Sequence, residues 1–394
     1  MVALLALPFL TRIYTPEDFT VLATYAAILA LLTVISCLRF EIAIPMPKEQ
    51  EEAVHLLALS VISVISLALL TWLGVSIGED WINKLTNQRL TGYLWLLPLG
   101  VFFSGLYSAL QYWMTREKAF PLVAKTRITQ AVSGATAQLG FGYAGITPLG
   151  LLLGQLLNSG AGIYGLLRFF LKEYKSLIFR INLKELRKTF KRYDRFPKYS
   201  TWEALTNSAG IQLPVLIIAI LAAGAEAGFL MLAMRLLSAP MGLIGSSVAQ
   251  VYLSEAAERY HHGELKSFTN RTIIMLAKVG FVPFILAGIT APFIVPFVFG
   301  QEWQRTGILI SWMVPWFFMQ FIASPISMSL HITNNQRVAL VLQIVGLILR
   351  GGAVWGAAIY SAEWVGEIYA ASGTVFYIIY IIVVYVIINK NSCN

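Results

Sequence analysis

Two arginines stand deep inside apolar stretches of this chain, Arg235 in FLMLAMRLLSAP and Arg350 in LVLQIVGLILRGGAVWG. A guanidinium keeps its charge at any physiological pH and presents five N–H donors in a planar fork. The chemistry that suits it is recognition of an anion, a carboxylate or a phosphate, through paired hydrogen bonds. Counted along a helix at 1.5 Å per residue, Arg350 lies about 18 Å from the start of its stretch and Arg235 about 12 Å, whereas Lys278 is shallower and can reach the surface with its long stem. No acid occupies the centre of any such stretch. The counter-charge of the two arginines therefore comes either from polar groups of other segments or from a bound anion.

Other polar residues interrupt the apolar pattern less deeply. Arg39 and Glu41 are two positions apart near one end of a stretch, and either pair with other segments or line a cavity. The segment KTRITQAVSGATAQLG holds Arg127, Thr129, Gln130, Ser133, Thr136 and Gln138, of which Gln130 and Gln138 are best placed to line a hydrated route. Serine and threonine in such a setting also hydrogen-bond helices to one another. Asn207 and Gln212 lend a later stretch the same character. The histidines His55, His261, His262 and His331 lack metal-ligand spacing, and two cysteines, Cys37 and Cys393, provide neither a disulfide framework nor a thiolate site. No catalytic set, metal or other cofactor is expected.

The elements that must position these residues follow from composition. With 57% hydrophobic residues, 12% charged residues and a mean hydropathy of +0.70, the 394-residue chain is too apolar for a water-soluble globule. Apolar runs of about 20 residues, the length that crosses a bilayer core, recur along it. They predict an all-α polytopic membrane protein with spans at 20–44, 53–75, 90–114, 122–143, 148–171, 199–222, 227–253, 272–299, 306–331, 338–360 and 367–388. Residues 1–10 form half of a further helix, which makes about twelve, with the first expected to be truncated.

Between residues 172 and 198 ten Lys or Arg face three acids, a net +7 out of +9 for the chain. Such a balance can signal nucleic acid, but here the charge is gathered in one connector beside hydrophobic spans, and membrane topology with anionic lipid accounts for it. The connectors that alternate with it also hold fewer Lys and Arg, so the positive-inside rule places the basic connector in the cytoplasm. Leu183, Leu186 and Phe190 recur there at helical spacing. This predicts either a short amphipathic helix on the inner membrane face or a solvated linker. The expected organisation is a first six-helix bundle over 1–171, a basic connector over 172–198 and a second six-helix bundle over 199–394. Trp81, Trp95, Trp303 and Trp364 fall at span ends and are expected in the interfacial belt. Gly150–Gly154 and Gly352–Gly356 match the spacing that permits close helix contact.

LTRIYTPEDF at 10–19, LRFEIAIP at 38–45, FPKYST at 196–201, and the run from Leu232 through Arg235 to Pro240 that ends at Glu255-Ala256-Ala257 resemble polysaccharide biosynthesis membrane proteins. More narrowly, they resemble Wzx-type oligosaccharide flippases of the multidrug/oligosaccharidyl-lipid/polysaccharide exporter superfamily. The resemblance implies two six-helix bundles around a central cavity and alternating access. The cargo it implies is an undecaprenyl-diphosphate-linked oligosaccharide of O-antigen or another surface polysaccharide, moved across the bacterial inner membrane. Membrane lipids, and the polymerase and chain-length proteins of the same pathway, are the partners it suggests.

A cation-coupled multidrug exporter of the same superfamily is the alternative, and it would favour a deep carboxylate. A membrane enzyme such as a polymerase or ligase would be expected to carry a large external loop, whereas the longest external connector here is expected over 76–89.

Overall fold

The computed structural model describes residues 2–222, 224–262, 264–333 and 335–391. Cys393 lies outside the described residues, as do the side chains of Pro240, His261, His331 and Lys390. Every predicted span coincides with a helix or a broken pair of helices, and the described residues contain no strand.

The first nine helices are α1 (Val2–Ile13), α2 (Pro16–Ser36), α3 (Phe40–Ala43), α4 (Gln50–Leu85), α5 (Leu96–Arg116), α6 (Phe120–Tyr143), α7 (Leu149–Gly160), α8 (Ile163–Ile178) and α9 (Leu183–Arg192). They are followed by α10 (Thr201–Leu221), α11 (Glu226–His261), α12 (Leu265–Phe299), α13 (Gln304–Ile326), α14 (Ser329–Ile332), α15 (Gln336–Tyr360) and α16 (Val365–Asn391). Eight segments of the described residues are long and apolar enough to cross a membrane on their own. The other four predicted spans correspond to the short α1 and to α5, α6 and α11. In α6 and α11 polar and charged residues dilute the apolar pattern, so these helices depend on neighbours within the bundle.

Two compact units divide the chain, one holding Val2–Tyr14 and Val21–Gln212, the other Thr15–Thr20 and Leu213–Asn394. The division falls inside α10 instead of in the basic connector, which belongs entirely to the first unit.

Local sequence explains several boundaries. Pro16 opens α2, and Thr15 and Asp18 cap it reciprocally: the Thr15 N–H donates to Asp18 Oδ2 at 2.9 Å and the Asp18 N–H to Thr15 Oγ1 at 3.3 Å. At the other end α2 stops at Ser36, and Leu38 and Arg39 take left-handed φ values of 49° and 61° before α3 begins. Few residues other than glycine adopt that conformation, and each instance costs about 1–3 kcal/mol. The predicted span 20–44 is therefore broken near its end. The expected external loop after residue 75 is helical instead, because α4 continues to Leu85 with a break at Gly78.

The first unit packs around Trp113, whose ring meets Phe170 edge-on at 5.1 Å and Tyr174 at 5.4 Å. Its α6 and α7 approach closely through Gly134 and Gly154. A Cβ at Gly154 would collide with Gln138 Cγ and stand 2.8 Å from the Gly134 carbonyl. Gly150 of the same motif packs against Tyr14 and Phe141, whereas nothing lies within 4 Å of a Cβ at Gly352 or Gly356. Only the first of the two matching motifs is a packing seam.

Of the two alternatives for the connector, a short helix is the one realised, over Leu183–Arg192. Asn182 caps α9 by accepting from the Lys184 N–H at 3.0 Å. Leu186 is buried and the Phe190 ring lies 5.6 Å from that of Phe40, so part of the apolar side of α9 covers protein, while Leu183 is exposed. Arg192 pairs with Glu52 at 2.7 Å and Arg180 with Glu51, which ties the connector to the first turn of α4. His55, one turn further on, accepts from the Asn182 N–H through Nε2 at 3.4 Å.

In the second unit the segment Thr15–Thr20 is an integral part of the packing. The Gly228 N–H donates to Thr20 Oγ1 at 3.0 Å, and a Cβ at Gly228 would collide with the Pro16 carbonyl oxygen. Trp303 is fully buried, edge-on to Phe19 at 4.8 Å and to Phe229 at 5.9 Å. It is a core residue of this unit, contrary to the belt position expected for it, while Trp81, Trp95 and Trp364 are exposed.

Candidate functional site: a polar cavity in the first unit

The break between α2 and α3 is what places charge inside the first unit. Because Leu38 and Arg39 reverse the local helical sense, Arg39 and Glu41 both border one cavity, while Phe40 between them is buried against the connector helix. The cavity measures about 390 Å³, at the small end of ligand-sized pockets. Its wall is shared by α2 with Thr33, α5 with Ser104 and Ser108, and α7 with Gln155 and Ser159. Gly105 makes this possible: a Cβ there would stand 2.6 Å from Val64 Cγ2 and 2.7 Å from Ser36 Oγ. Its absence lets α5 lie close to α2 and α4 and brings the two α5 serines to the cavity. Below the break Arg116 gathers the chain that follows Glu41, donating from Nη1 to the Ile44 and Pro47 carbonyls and from Nη2 to that of Lys48.

The charged pair is incompletely satisfied. Arg39 Nη1 lies 3.7 Å from Glu41 Oε1, beyond ordinary hydrogen-bond distance. Arg39 Nε, Glu41 Oε2 and Thr33 Oγ1 are buried and have no hydrogen-bond partner among the described residues. The Glu41 side chain retains only 5% exposure and that of Arg39 29%. A buried polar atom left without a partner costs about 1–3 kcal/mol, and more when it is charged. The site therefore combines one unmet donor, one unmet acceptor and a ring of short polar side chains.

The other residues picked out by sequence have separate surroundings. In the first unit Gln130 and Gln138 are buried between α6 and α7, where Gln130 Nε2 donates to the Ser159 carbonyl at 3.0 Å and Gln138 Nε2 to that of Leu151 at 3.2 Å. Arg127 is exposed, donates to Gln111 Oε1 and lies 4.9 Å over the Tyr107 ring. Gln212 is half-buried. In the second unit Arg235 is half-buried on α11, and Lys278 is exposed on α12. Arg350 is only 3% exposed. Its Nε donates to the Gly346 carbonyl at 3.1 Å and its guanidinium lies 4.7 Å over the Phe376 ring. Among the described residues it forms no ion pair.

Sequence reasoning missed the strongest charge cluster of the second unit. Arg305 Nη2 donates to Glu226 Oε1 at 2.8 Å and to Glu367 Oε2 at 2.8 Å, and its Nε donates to Glu226 Oε2 at 3.2 Å. All three residues lie in first helical turns, of α11, α13 and α16. The two carboxylates thus also sit where helix dipoles favour negative charge. An acid in the first turn of two apolar spans, with an arginine in the first turn of a third, was the available signal. Thr33, Ser104, Ser108, Gln155 and Ser159 carried none, since such residues are frequent in apolar helices. Among the described residues no cluster of His, Cys, Asp or Glu could hold a metal ion.

Residues 9–307 match the model of a family described as polysaccharide biosynthesis protein, and the chain belongs to that family. In fold it is similar to an inward-facing multidrug resistance MATE family transporter of the MOP superfamily, with a TM-score of 0.74 and 13% identity over 99% of this chain and 94% of that one. It is also similar to the lipid II flippase MurJ in an inward closed conformation, with a TM-score of 0.71 and 13% identity over 100% and 89%. A third likeness is to a mutant of the Vibrio cholerae MATE transporter VcmN, with a TM-score of 0.57 and 12% identity over 98% and 88%. No curated protein matches the sequence. The chain is a multi-pass membrane protein with the fold of this transporter superfamily, and the solved structures it resembles are those of transporters and a flippase.

Proposed function

We propose that this protein is a Wzx-type flippase that moves an undecaprenyl-diphosphate-linked oligosaccharide across the bacterial inner membrane by alternating access, for O-antigen or another surface polysaccharide. The observation that carries the reading is the polar cavity holding Arg39 and Glu41 inside a membrane-spanning bundle of the polysaccharide biosynthesis family. A lipid-linked sugar diphosphate asks for two things of a membrane protein: cations for the diphosphate and hydroxyl-matching groups for the sugar. Arg235, half-buried on α11, is the cation assigned to the diphosphate. Arg350, with its charge buried against Phe376 and no acidic partner among the described residues, is the second, and an anion drawn to it is the counter-charge it lacks. The MATE-like alternative of a cationic drug is disfavoured by the pairing of the cavity's carboxylate, since Arg39 lies 3.7 Å from Glu41.

The test is surface polysaccharide in a flippase-deleted strain, scored per unit of folded protein. Arg235→Ala and Arg350→Ala are expected to abolish complementation while inserting normally, with Lys restoring part of it, because lysine keeps the charge but loses the planar fork. Full complementation by both well-expressed Ala variants would remove these arginines from the mechanism. Efflux of cationic dyes with no polysaccharide rescue by the parent protein would replace the flippase reading with the exporter one.

A further inference from the structure

We infer that the cavity of the first unit is a sugar-reading subsite, which binds the glycosyl part of the cargo and not its diphosphate; the inference rests on the flippase reading above. The polar atoms at this cavity are of mixed kind. Glu41 Oε2 is a buried acceptor without a donor and Arg39 Nε a buried donor without an acceptor, while Thr33 Oγ1 can serve in either sense. The side chains of Ser104, Ser108 and Gln155, all half-buried, border the same space. A diphosphate offers acceptors only and would leave Glu41 Oε2 unmet, with two negative groups brought together. A sugar hydroxyl donates and accepts at once, so one hydroxyl, or two on adjacent ring carbons, can satisfy Glu41 and Arg39 together.

Size and electrostatics point the same way. About 390 Å³ suits one or two sugar rings and is too narrow for a long oligosaccharide. The pair Arg39 and Glu41 is neutral overall, which removes the excess positive charge that would select a phosphate and equally the excess negative charge that would select a metal cation. Short side chains make up most of the polar wall, and the left-handed backbone at Leu38 and Arg39 places the pair at its edge. Discrimination among sugars follows from the same geometry, because a site built to hydrogen-bond a hydroxyl rejects an analogue that lacks it more strongly than an apolar pocket can.

The experiment uses the full-length protein in lipid nanodiscs and two probes: undecaprenyl diphosphate, and the lipid-linked oligosaccharide extracted from cells that carry the pathway without its flippase. The parent protein is expected to bind the glycosylated lipid more tightly than the bare one. Glu41→Gln, Ser108→Ala and Gln155→Leu are expected to weaken the glycosylated lipid about ten- to hundredfold for Glu41, where a charged hydrogen bond is lost, and about threefold to tenfold for the neutral residues. Binding of bare undecaprenyl diphosphate should stay unchanged in all three. Ser108→Ala and Gln155→Leu guard against a folding defect in Glu41→Gln, since each removes only a neutral polar group, and melting temperature is recorded alongside. Equal loss of both probes in the variants would assign the cavity to the diphosphate and overturn the inference, as would variants that keep the full preference for the glycosylated lipid. A parent protein that binds neither probe would instead bring down the flippase reading itself.

Discussion

The two units solve the burial of an arginine beside glutamate in opposite ways. In the second unit Arg305 Nη2 donates to both Glu226 and Glu367 at 2.8 Å, and both acids lie in first helical turns. In the first unit Arg39 and Glu41 stand 3.7 Å apart, with a nitrogen and an oxygen left over. Saturation of the first kind ties α11, α13 and α16 together and leaves little with which to bind anything else. Unmet hydrogen-bond capacity costs stability and is retained where a ligand completes it. The same residue types therefore form a staple in one place and the proposed binding site in the other, and the distinction lies in which atoms remain unpaired.

The largest expected effect separates the two directly. Removing one member of a buried pair strands the other charge at a cost of about 3–5 kcal/mol, so Arg305→Ala should sharply lower the yield of monodisperse protein and its melting temperature. Arg39→Ala strands one carboxylate, Glu41, that is already 3.7 Å from its partner, so it should lower folded yield less than Arg305→Ala, which strands two, while polysaccharide export falls. Equal losses of folded protein in both variants would erase the contrast between staple and site.

A second contrast lies in the glycine motifs. Gly154→Leu would drive a side chain into Gln138 and the Gly134 backbone, and overpacking of this sort costs about 1–3 kcal/mol. Gly352→Leu enters open space and should leave stability within about 0.5 kcal/mol, or raise it through better helix propensity. Thermal melting of the two detergent-solubilised variants decides it, and a destabilised Gly352→Leu would mean that this face of α15 is covered in the membrane.

The smallest effect belongs to the connector. The Arg192–Glu52 pair is exposed on its arginine side, and such pairs contribute about 0–1 kcal/mol and weaken with salt. Arg192→Gln should shift melting slightly at low ionic strength and not at all in high salt. A large, salt-independent loss would show that the pair does more than tie α9 to α4, and would move it towards the category of the Arg305 cluster.

What the sequence by itself determined is the membrane-spanning architecture: an all-α chain and the order of its spans. These are local properties, since a bilayer demands about 20 apolar residues per crossing. The amphipathic character of residues 183–192 was legible for the same reason, but the surface that its Leu186 and Phe190 would cover was not. Arg39 and Glu41 were visible as charges near a span end. That two left-handed residues would bring them to a cavity lined by Ser104, Ser108 and Gln155 was visible only once α2, α5 and α7 were packed together. Gln130 and Gln138, which the sequence presented as lining for a hydrated route, find carbonyls of Ser159 and Leu151 across a glycine seam. Arg305 finds its two carboxylates 79 and 62 residues away. Helical periodicity reports which side chains share a face, whereas hydrogen-bond partners depend on which faces meet and how closely, and that is settled by packing across the whole unit.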